Sequence, residues 1–303
     1  MVQRGKLNHL PKRFPVSCQW EITCRCNLHC VMCYTDCFNR PDFIRQELTT
    51  PDILRIMDEM ADAGTLELCL TGGEPLVRPD FFHIYEHAIR CGFLVTVFTN
   101  GTLITEAAAD RFAMLRPHQI EISLHGLTSE TFERITQGTG SYHRCFDGIG
   151  LLIDRQIPLT LKSTAMTLNQ HEILAIKQYV ASLGSVRYKL GEEMRPELDG
   201  GAGPFQYALC EGDLRIINQQ DDDLRKESCQ QPLTDRSPCQ SGMQRFHIDA
   251  YGRLQLCSGN RQQSYDLRSG SFREGFFDAM PTFACEWKIP VASEPMRPTV
   301  HHA

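Results

Sequence analysis

The sequence has no long apolar run, no excess of positive charge, no internal repeat and no low-complexity tract. No stretch approaches the roughly 18–20 apolar residues that a membrane-spanning helix needs, and the N-terminus lacks the apolar core of a secretory signal peptide. The formal net charge is −6 over 303 residues, which argues against general nucleic-acid binding because phosphate contacts need a surplus of Lys and Arg. These absences favour a cytoplasmic protein that binds neither membranes nor nucleic acids in general.

Cysteine, in contrast, is abundant, with 14 residues. In a chain without a signal peptide this number indicates metal ligation in a reducing compartment and not a disulfide framework. The hydrophobic content of 42% is enough to bury one large core with a small appendage. We therefore divide the chain into an N-terminal arm (1–16), a core (17–190) and a C-terminal cysteine-containing domain (191–303).

Strand-like apolar segments alternate with helical segments from residue 17 to residue 190. This alternation predicts βα units and a parallel sheet, whose site should lie at the carboxyl ends of its strands. Asn169 and Glu172 form a capping-box pattern, so we expect them to cap the helix that ends at Gly184. Six strands are expected, close to residues 18–23, 65–71, 93–98, 119–124, 158–164 and 185–190.

Three cysteines follow the first expected strand at the spacing CxxxCxxC, namely Cys26, Cys30 and Cys33. Three thiolates on one short loop can hold three irons of a 4Fe–4S cluster. No fourth cysteine sits at a matching interval, so one iron would stay open to a ligand, much as a catalytic metal site keeps an unfilled position. A structural zinc site is the alternative, because paired Cys-x-x-Cys loops also bind zinc.

A glycine turn follows the second expected strand, with Gly72, Gly73 and Glu74 in the string LTGGEP. Glycines let the backbone approach a ligand closely, and a carboxylate offsets an ammonium group. Together, the turn and the cysteine loop resemble the GGE motif and the cluster signature of the radical S-adenosylmethionine (radical SAM) enzymes. The resemblance implies that the open iron chelates S-adenosylmethionine (SAM) and that Glu74 binds the methionine ammonium.

The resemblance also implies a fold and a reaction. The fold is α/β, a partial (β/α)6 TIM-like barrel that is two units short of a full barrel, with a small C-terminal β-hairpin-plus-helix Fe–S extension. The reaction is reductive cleavage of SAM to methionine and a 5′-deoxyadenosyl radical, which abstracts a hydrogen atom from a substrate. An electron donor such as a flavodoxin or a ferredoxin would supply the electron.

Four further residues lie where this family binds SAM. Ser123 looks like the position that contacts the ribose or the carboxylate. We expect Asn100 either to bond the ribose and line the pocket or only to complete the Asn-Gly turn. Lys162 either pairs with the methionine carboxylate or is an exposed lysine at a strand end. Tyr34 either covers the cluster or the adenine, or belongs to the core.

The C-terminal segment carries a second cysteine pattern. Cys239 precedes two short expected strands, and Cys257 ends them. This unit is similar to the SPASM and Twitch extensions of radical SAM proteins, which hold auxiliary 4Fe–4S clusters. Because Cys285 alone remains beyond it, one auxiliary cluster is the most that the tail can support. The fourth ligand would be Cys229 or Cys210, or the site would stay open to substrate; a zinc knuckle is the alternative.

The resemblance to SPASM/Twitch maturases favours oxidative modification of a ribosomally made peptide or protein, by a cross-link, a dehydrogenation or a similar step. A small-molecule radical dehydrogenase or cyclase is the first alternative. A peptide epimerase is another, in which Cys210 would donate a hydrogen atom. Because no peptide-recognition domain is evident before residue 17, a separate protein would supply that function. A non-catalytic iron–sulfur or zinc protein is the alternative from another class, and the GGE carboxylate argues against it.

Overall fold

A computed structural model of the protein describes residues 13–191, 194–219 and 239–285. Within these ranges, no helix is both long enough and apolar enough to cross a membrane. Cys229 lies outside the described residues, so its role as a ligand of an auxiliary cluster stays a prediction.

One sheet organises this part of the chain. It is parallel from its first edge as far as β7, and the last two strands are antiparallel to their neighbours, in the order β6-β5-β4-β3-β2-β1-β7-β8-β9. The strands are β1 (Ser17–Thr23), β2 (Glu67–Gly72), β3 (Leu94–Thr99), β4 (Gln119–Ser123), β5 (Leu159–Thr164), β6 (Arg187–Gly191), β7 (Arg245–Ile248), β8 (Arg253–Gln255) and β9 (Tyr265–Asp266).

Helices connect the parallel strands, so the predicted α/β partial barrel with a C-terminal hairpin is confirmed. The helices are α1 (Pro41–Ile44), α2 (Thr50–Asp62), α3 (Phe81–Arg90), α4 (Glu106–Met114), α5 (Ser129–Thr136), α6 (Ser141–Asp154), α7 (Ile173–Ser182) and α8 (Glu211–Gln219). The side chains of Thr49, Thr105 and Thr128 begin α2, α4 and α5 by accepting a hydrogen bond from the backbone three residues on. A short π-helical segment, Glu274–Ala279, follows β9.

The hydrophobic core lies between the sheet and the helices that cover it. Ile120 and Ile122 of β4 have no exposed surface, and neither do Ile53 and Ile56 of α2. Gln119 and Glu121, which alternate with the two isoleucines along β4, are buried as well, because a parallel sheet is covered on both faces. This burial fixes the strands, and with them the position of the loops at their ends.

The capping box expected at Asn169 and Glu172 is wrong. The helix α7 begins one residue after Glu172, which makes no cap hydrogen bond. The Glu172 carboxylate instead accepts from the backbone N–H of Leu127 (2.5 Å) and from the hydroxyls of Thr128 (2.7 Å) and Thr131 (2.6 Å). The carboxylate therefore binds the N-terminus of α5, where the helix dipole favours a negative charge. Spacing within one segment does not reveal a partner in another.

The C-terminal hairpin adds to the core sheet. Its first strand, β7, pairs in parallel with β1, which places Ile248 opposite Trp20. Arg261, which follows β8, donates to both carboxylate oxygens of Glu21 in β1, at 2.8 and 2.5 Å. The sheet therefore runs across the domain boundary expected at 190/191, and that boundary stays a prediction.

We expect Glu172→Gln to lower the free energy of unfolding by about 1.5–3 kcal/mol near neutral pH, the range for hydrogen bonds to a charged group. Burial alone would raise the pKa of Glu172, but the bonds from Thr131, Leu127 and Thr128 outweigh it and hold the pKa below its ordinary value. The stabilisation is therefore present above the ordinary glutamate pKa and is lost as pH falls through the folded-state pKa.

Urea unfolding of wild type and variant, from about pH 7 to about pH 3, measures this dependence. Glu130→Gln is the matched control, because Glu130 is exposed in the first turn of α5, the helix whose N-terminus Glu172 binds. A stability loss in Glu172→Gln that is equal at both ends of the pH range would contradict the assignment.

Candidate active site

The loops that follow β1 to β5 meet at one edge of the sheet, because the strands are parallel. They enclose a cavity of about 440 Å³, here called the strand-end cavity. The structure brings together there every residue predicted for SAM or for its cluster except Glu74. Those residues are Cys26, Cys30, Cys33, Tyr34, Gly72, Gly73, Asn100, Ser123 and Lys162.

The cysteine loop is held in place by its neighbours. The N–H of Val31 donates to the carbonyl of Ile135, at the end of α5 (2.9 Å). The side-chain amide of Asn39 binds both backbone groups of Cys26: its Oδ1 accepts from the N–H (3.3 Å), and its Nδ2 donates to the carbonyl (3.2 Å). The loop therefore has a defined path before any metal is considered.

A carboxylate fixes the exit of β1, where the cysteine loop begins. The side chain of Glu47 is only 4% exposed. It accepts from the Thr23 hydroxyl (2.6 Å), from the N–H of Cys24 (2.7 Å) and from the Arg25 guanidinium (2.8 Å). Because Cys26 comes next in the chain, this network sets the position of the first thiol.

The three loop thiols suit a metal cluster. Burial raises the pKa of each of them, to about 12 for Cys26, and the neighbouring thiol of Cys33 raises the pKa of Cys30 further. Thiolates in this place therefore need cationic metal among them. No other cysteine of the described residues lines the cavity. Three enclosed thiols without a fourth fit a 4Fe–4S cluster that keeps one iron open.

Gly72 and Gly73 bring the turn after β2 against the start of the cysteine loop. The N–H of Gly73 donates to the Thr23 carbonyl (3.0 Å), and the N–H of Glu74 donates to the Arg25 carbonyl (2.8 Å). A Cβ on Gly72 would lie 2.1 Å from the Thr23 oxygen, and one on Gly73 would lie 2.4 Å from the Arg25 oxygen. Gly72 also has a φ of 136°. Both positions therefore require glycine.

Glu74 is fully buried and does not line the strand-end cavity. Its carboxylate accepts from the Thr99 hydroxyl (2.8 Å), the N–H of Asn100 (2.6 Å) and the N–H of Leu76 (3.1 Å). Burial raises its pKa to about 7 in spite of these bonds. Glu74 thus connects the loops after β2 and β3, and its contact with a methionine ammonium stays a prediction.

Asn100 does more than complete a turn. Its Nδ2 donates to Oδ1 of Asn27 in the cysteine loop (2.9 Å), and its Oδ1 accepts from the N–H of Thr102 (2.9 Å). The same Nδ2 lies 3.9 Å from Sγ of Cys26. Asn100 therefore connects the loop after β3 to the cysteine loop as well as lining the cavity.

The cationic side of the cavity is already partly neutralised. Nζ of Lys162 lies 3.0 Å from Glu121 and 3.4 Å from the centre of the Phe98 ring, so its pairing with a methionine carboxylate stays a prediction. His125 also lines the cavity, and burial followed by the charge of Lys162 lowers its pKa to about 4. It is therefore neutral at pH 7. Ser123 faces the same cavity, and its contact with SAM stays a prediction.

Arg195 is a site residue that the sequence patterns missed. Together with Tyr34 it lines both the strand-end cavity and a neighbouring cavity of about 340 Å³, here called the connecting cavity. Its guanidinium lies 5.8 Å from the centre of the Tyr34 ring and donates to Oγ of Ser258 (3.0 Å). Because Ser258 follows Cys257, these contacts join the strand-end cavity to the predicted auxiliary site. Arg195 lies in an irregular segment after β6, where no motif marks it.

Two of the predicted auxiliary ligands belong to segments that contact each other. The N–H of Asn260 donates to the carbonyl of Cys257 (3.2 Å). Its side-chain Nδ2 donates to the carbonyl of Ala284 (3.2 Å), directly before Cys285. Asn260 therefore holds the backbone at both cysteines.

Cys239 and Cys210 differ in their surroundings. Cys239 is exposed and lies three residues before Gly242, where a Cβ would be 2.3 Å from Cδ2 of Leu256. Leu256 immediately precedes the next predicted ligand, so Cys239 lies in the same part of the fold. Cys210 is exposed, and its thiol donates to Asp213 (3.0 Å) away from the strand-end cavity. Its roles as fourth ligand or hydrogen donor stay predictions.

A family model described as the radical SAM superfamily matches residues 20–180, which is more than half of the chain. The match contains the cysteine loop, the glycine turn and the strands that carry them. It therefore covers the whole of the site described above except Arg195 and the C-terminal cysteines.

Two curated proteins are similar to this chain over about half of its length. The AdoMet-dependent heme synthase of Methanosarcina barkeri is 32% identical over 169 residues, which are 56% of this chain and 48% of that protein. The PqqA peptide cyclase of Rhizobium meliloti is 32% identical over 162 residues, which are 52% of this chain and 42% of that protein. The matches thus span less than half of the length of either relative.

A solved structure shares the fold over most of the chain. SuiB of Streptococcus suis, bound to its precursor peptide SuiA, matches with a TM-score of 0.70 and covers 88% of this chain and 65% of SuiB. The sequence identity is 16%, so this similarity concerns the fold.

We expect Glu74 to make the stability of the protein fall as pH rises. Its folded-state pKa of about 7 lies above its ordinary value. The stability that it contributes is therefore complete below the ordinary pKa and is lost as pH rises through about 7. Glu74→Gln should remove this dependence, which amounts to about 3 kcal/mol between about pH 4 and pH 8.

Thermal unfolding of the two proteins across that pH range provides the measurement. Glu67→Gln is the control, because Glu67 is exposed and begins β2, the strand that leads to Glu74. If Glu74→Gln kept the pH dependence of the wild type, the assignment of a raised pKa to Glu74 would be wrong.

Proposed function

The chain belongs to the radical SAM superfamily, and from this premise we propose that it oxidatively modifies a ribosomally made peptide or protein. The proposal rests on the connecting cavity, which shares Tyr34 and Arg195 with the strand-end cavity and is also lined by Ser258, beside Cys257. An extended substrate would place one residue in the strand-end cavity and another near the C-terminal cysteines. Two adjacent cavities suit a peptide better than a compact metabolite.

When bound, a 4Fe–4S cluster and SAM supply one-electron cleavage of the sulfonium and a 5′-deoxyadenosyl radical that removes a hydrogen atom from the substrate. Cys26, Cys30 and Cys33 would hold the cluster through their thiolates. Gly72 and Gly73 line the cavity. They would offer backbone carbonyls to the ammonium group of SAM, because the N–H of Gly73 already donates to the Thr23 carbonyl.

Other residues of the strand-end cavity would orient SAM and exclude water. Asn100 and Ser123 would bond the ribose or the carboxylate, and Tyr34 would cover the adenine or the cluster. The rings of Phe98 and Phe132 form an apolar part of the cavity wall, which keeps water away from a radical centre. The protein thus supplies binding and orientation, while the hard chemistry belongs to the cofactor.

Arg195 would favour a substrate with a carboxylate near the reacting residue. Its hydrogen bond within residues 13–191, 194–219 and 239–285 goes to the neutral hydroxyl of Ser258, and a guanidinium pairs well with a carboxylate. The names of two similar proteins support a peptide: one relative is a PqqA peptide cyclase, and SuiB was solved with a precursor peptide.

The C-terminal cysteines would hold one auxiliary 4Fe–4S cluster. Cys239, Cys257 and Cys285 are the proposed ligands, with Cys229 or Cys210 as the fourth. Such a cluster would supply an electron acceptor, and its uptake of one electron from the substrate radical would make the modification oxidative. The contacts that Asn260 makes with the backbone beside two of these cysteines support the assignment.

A small-molecule radical enzyme is the second candidate. The similarity to an AdoMet-dependent heme synthase, at 32% identity, favours it. Under this alternative Arg195 would bind a carboxylate of the small molecule, and the connecting cavity would hold the rest of it.

Formation of 5′-deoxyadenosine tests the radical chemistry. We expect the reconstituted protein, given SAM and a reductant without oxygen, to produce 5′-deoxyadenosine, and a Cys26/Cys30/Cys33→Ala triple variant to produce none. Cys37→Ala is the control, because Cys37 lies close behind the loop and is not a proposed ligand. Equal production by the wild type and the triple variant would exclude the assigned cluster.

Adding candidate peptides or carboxylate-bearing small molecules then separates the two substrate classes, since the true substrate should raise the yield of 5′-deoxyadenosine.

Iron analysis tests the auxiliary site. We expect about eight irons per wild-type chain and about four in Cys257→Ser, because one of two four-iron clusters is lost. Comparing Cys210→Ser with Cys229→Ser identifies the fourth ligand as the one whose removal also lowers the iron content. Four irons in the wild type, unchanged in Cys257→Ser, would rule out an auxiliary cluster at these cysteines.

A further inference from the structure

A second group of metal-ligating side chains lies outside the strand-end cavity, between α2 and α3. Asp58, His87 and Cys91 each offer one ligand atom, and the three atoms lie within 4.8 Å of one another. Nε2 of His87 is 2.7 Å from Oδ1 of Asp58, and Sγ of Cys91 is 3.5 Å from the same oxygen. Three different donor types thus converge on one point.

Helix geometry explains the convergence. His87 and Cys91 are four residues apart, so they lie one above the other on the same face of α3. The N–H of Cys91 donates to the His87 carbonyl (2.9 Å), which keeps the helical spacing to the end of α3. Asp58 reaches the pair from α2, whose apolar side chains share the core with those of α3.

The donor set is more than a surface ion pair. An aspartate–histidine pair accounts for two of the side chains but not for a thiol aimed at the same carboxylate oxygen. Imidazole nitrogen, thiolate sulfur and carboxylate oxygen are the ligands that zinc takes in proteins. The side chains of His87 and Asp58 are 25% and 59% exposed, so an ion can enter, and water can fill the remaining coordination position.

The thiol carries its proton in the metal-free protein. Burial, followed by Asp58 and then Asp62, raises the pKa of Cys91 to about 11. Binding of a divalent cation would release that proton to solvent and leave the thiolate as ligand. The same two carboxylates that disfavour a bare thiolate favour a cation beside it.

We propose that Asp58, His87 and Cys91 bind one zinc ion that connects α2 to α3. Asp58 and Cys91 lie near the C-terminal ends of these helices, which lead into the beginnings of β2 and β3. The site is therefore at the edge of the sheet opposite the strand-end cavity. The ion stabilises the fold and takes no part in the radical reaction.

Zinc uptake by the cluster-loaded full-length protein tests the proposal, measured without oxygen by competition with a chromophoric zinc chelator. We expect the wild type to bind one more zinc ion per chain than Cys91→Ser or His87→Ala, and zinc to raise the melting temperature of the wild type alone. His83→Ala is the matched control, because His83 is exposed one turn earlier on α3 and should behave as the wild type does.

Alkylation gives a second readout that needs no variant. Zinc should slow the reaction of Cys91 with iodoacetamide, followed by peptide mass spectrometry. Equal zinc uptake by the wild type and Cys91→Ser, or alkylation of Cys91 that zinc leaves unchanged, would overturn the proposal. Because Cys91→Ser should form 5′-deoxyadenosine at the wild-type rate, failure of the zinc site and failure of the radical chemistry are distinguishable.

Discussion

The backbone of Gly72 and Gly73 lies directly against the backbone of Thr23 and Arg25, and the proposed active site depends on this contact. The hydrogen bonds from Gly73 to Thr23 and from Glu74 to Arg25 continue the parallel pairing of β1 and β2 beyond the regular strands. Any side chain at the two glycines would collide with a carbonyl oxygen. Because glycine has none, the glycine turn can lie immediately beside the start of the cysteine loop. Three thiols and a stretch of accessible backbone are thereby placed in one cavity.

Buried carboxylates hold the surrounding segments in position. Glu47 fixes the exit of β1, Glu74 connects the loops after β2 and β3, and Glu21 joins the C-terminal tail to the sheet through Arg261. Each of these carboxylates accepts several hydrogen bonds, which is the condition under which a buried charge is tolerated. At Glu21, burial opposes ionisation, but Arg261 and then His247 outweigh it and hold the pKa well below its usual range. At Glu74 no cation is among the causes and burial prevails, so Glu74 takes up its proton at a higher pH than Glu21 does.

The sequence predicted what depends on local spacing. Strand alternation, the cysteine loop and the glycine turn all follow from short-range patterns, and the structure brings these elements to one edge of the sheet. Contacts between distant segments were missed. Glu172 accepts a hydrogen bond from Leu127, 45 residues earlier, beside the start of α5, and Arg195 reaches Ser258 across 63 residues. The motif also gave the position of Glu74 but not the inward direction of its side chain, because that direction depends on donors from the next loop.

The proposed function requires that SAM binds to an iron held by Cys26, Cys30 and Cys33. Electron–nuclear double resonance on the reduced protein, with SAM labelled by ¹⁷O in its carboxylate, detects this bond. The Cys257→Ser variant is the suitable sample, because it should contain this cluster alone. We expect a hyperfine coupling between the label and the reduced cluster. A fully loaded, reduced cluster without that coupling at saturating SAM would contradict it.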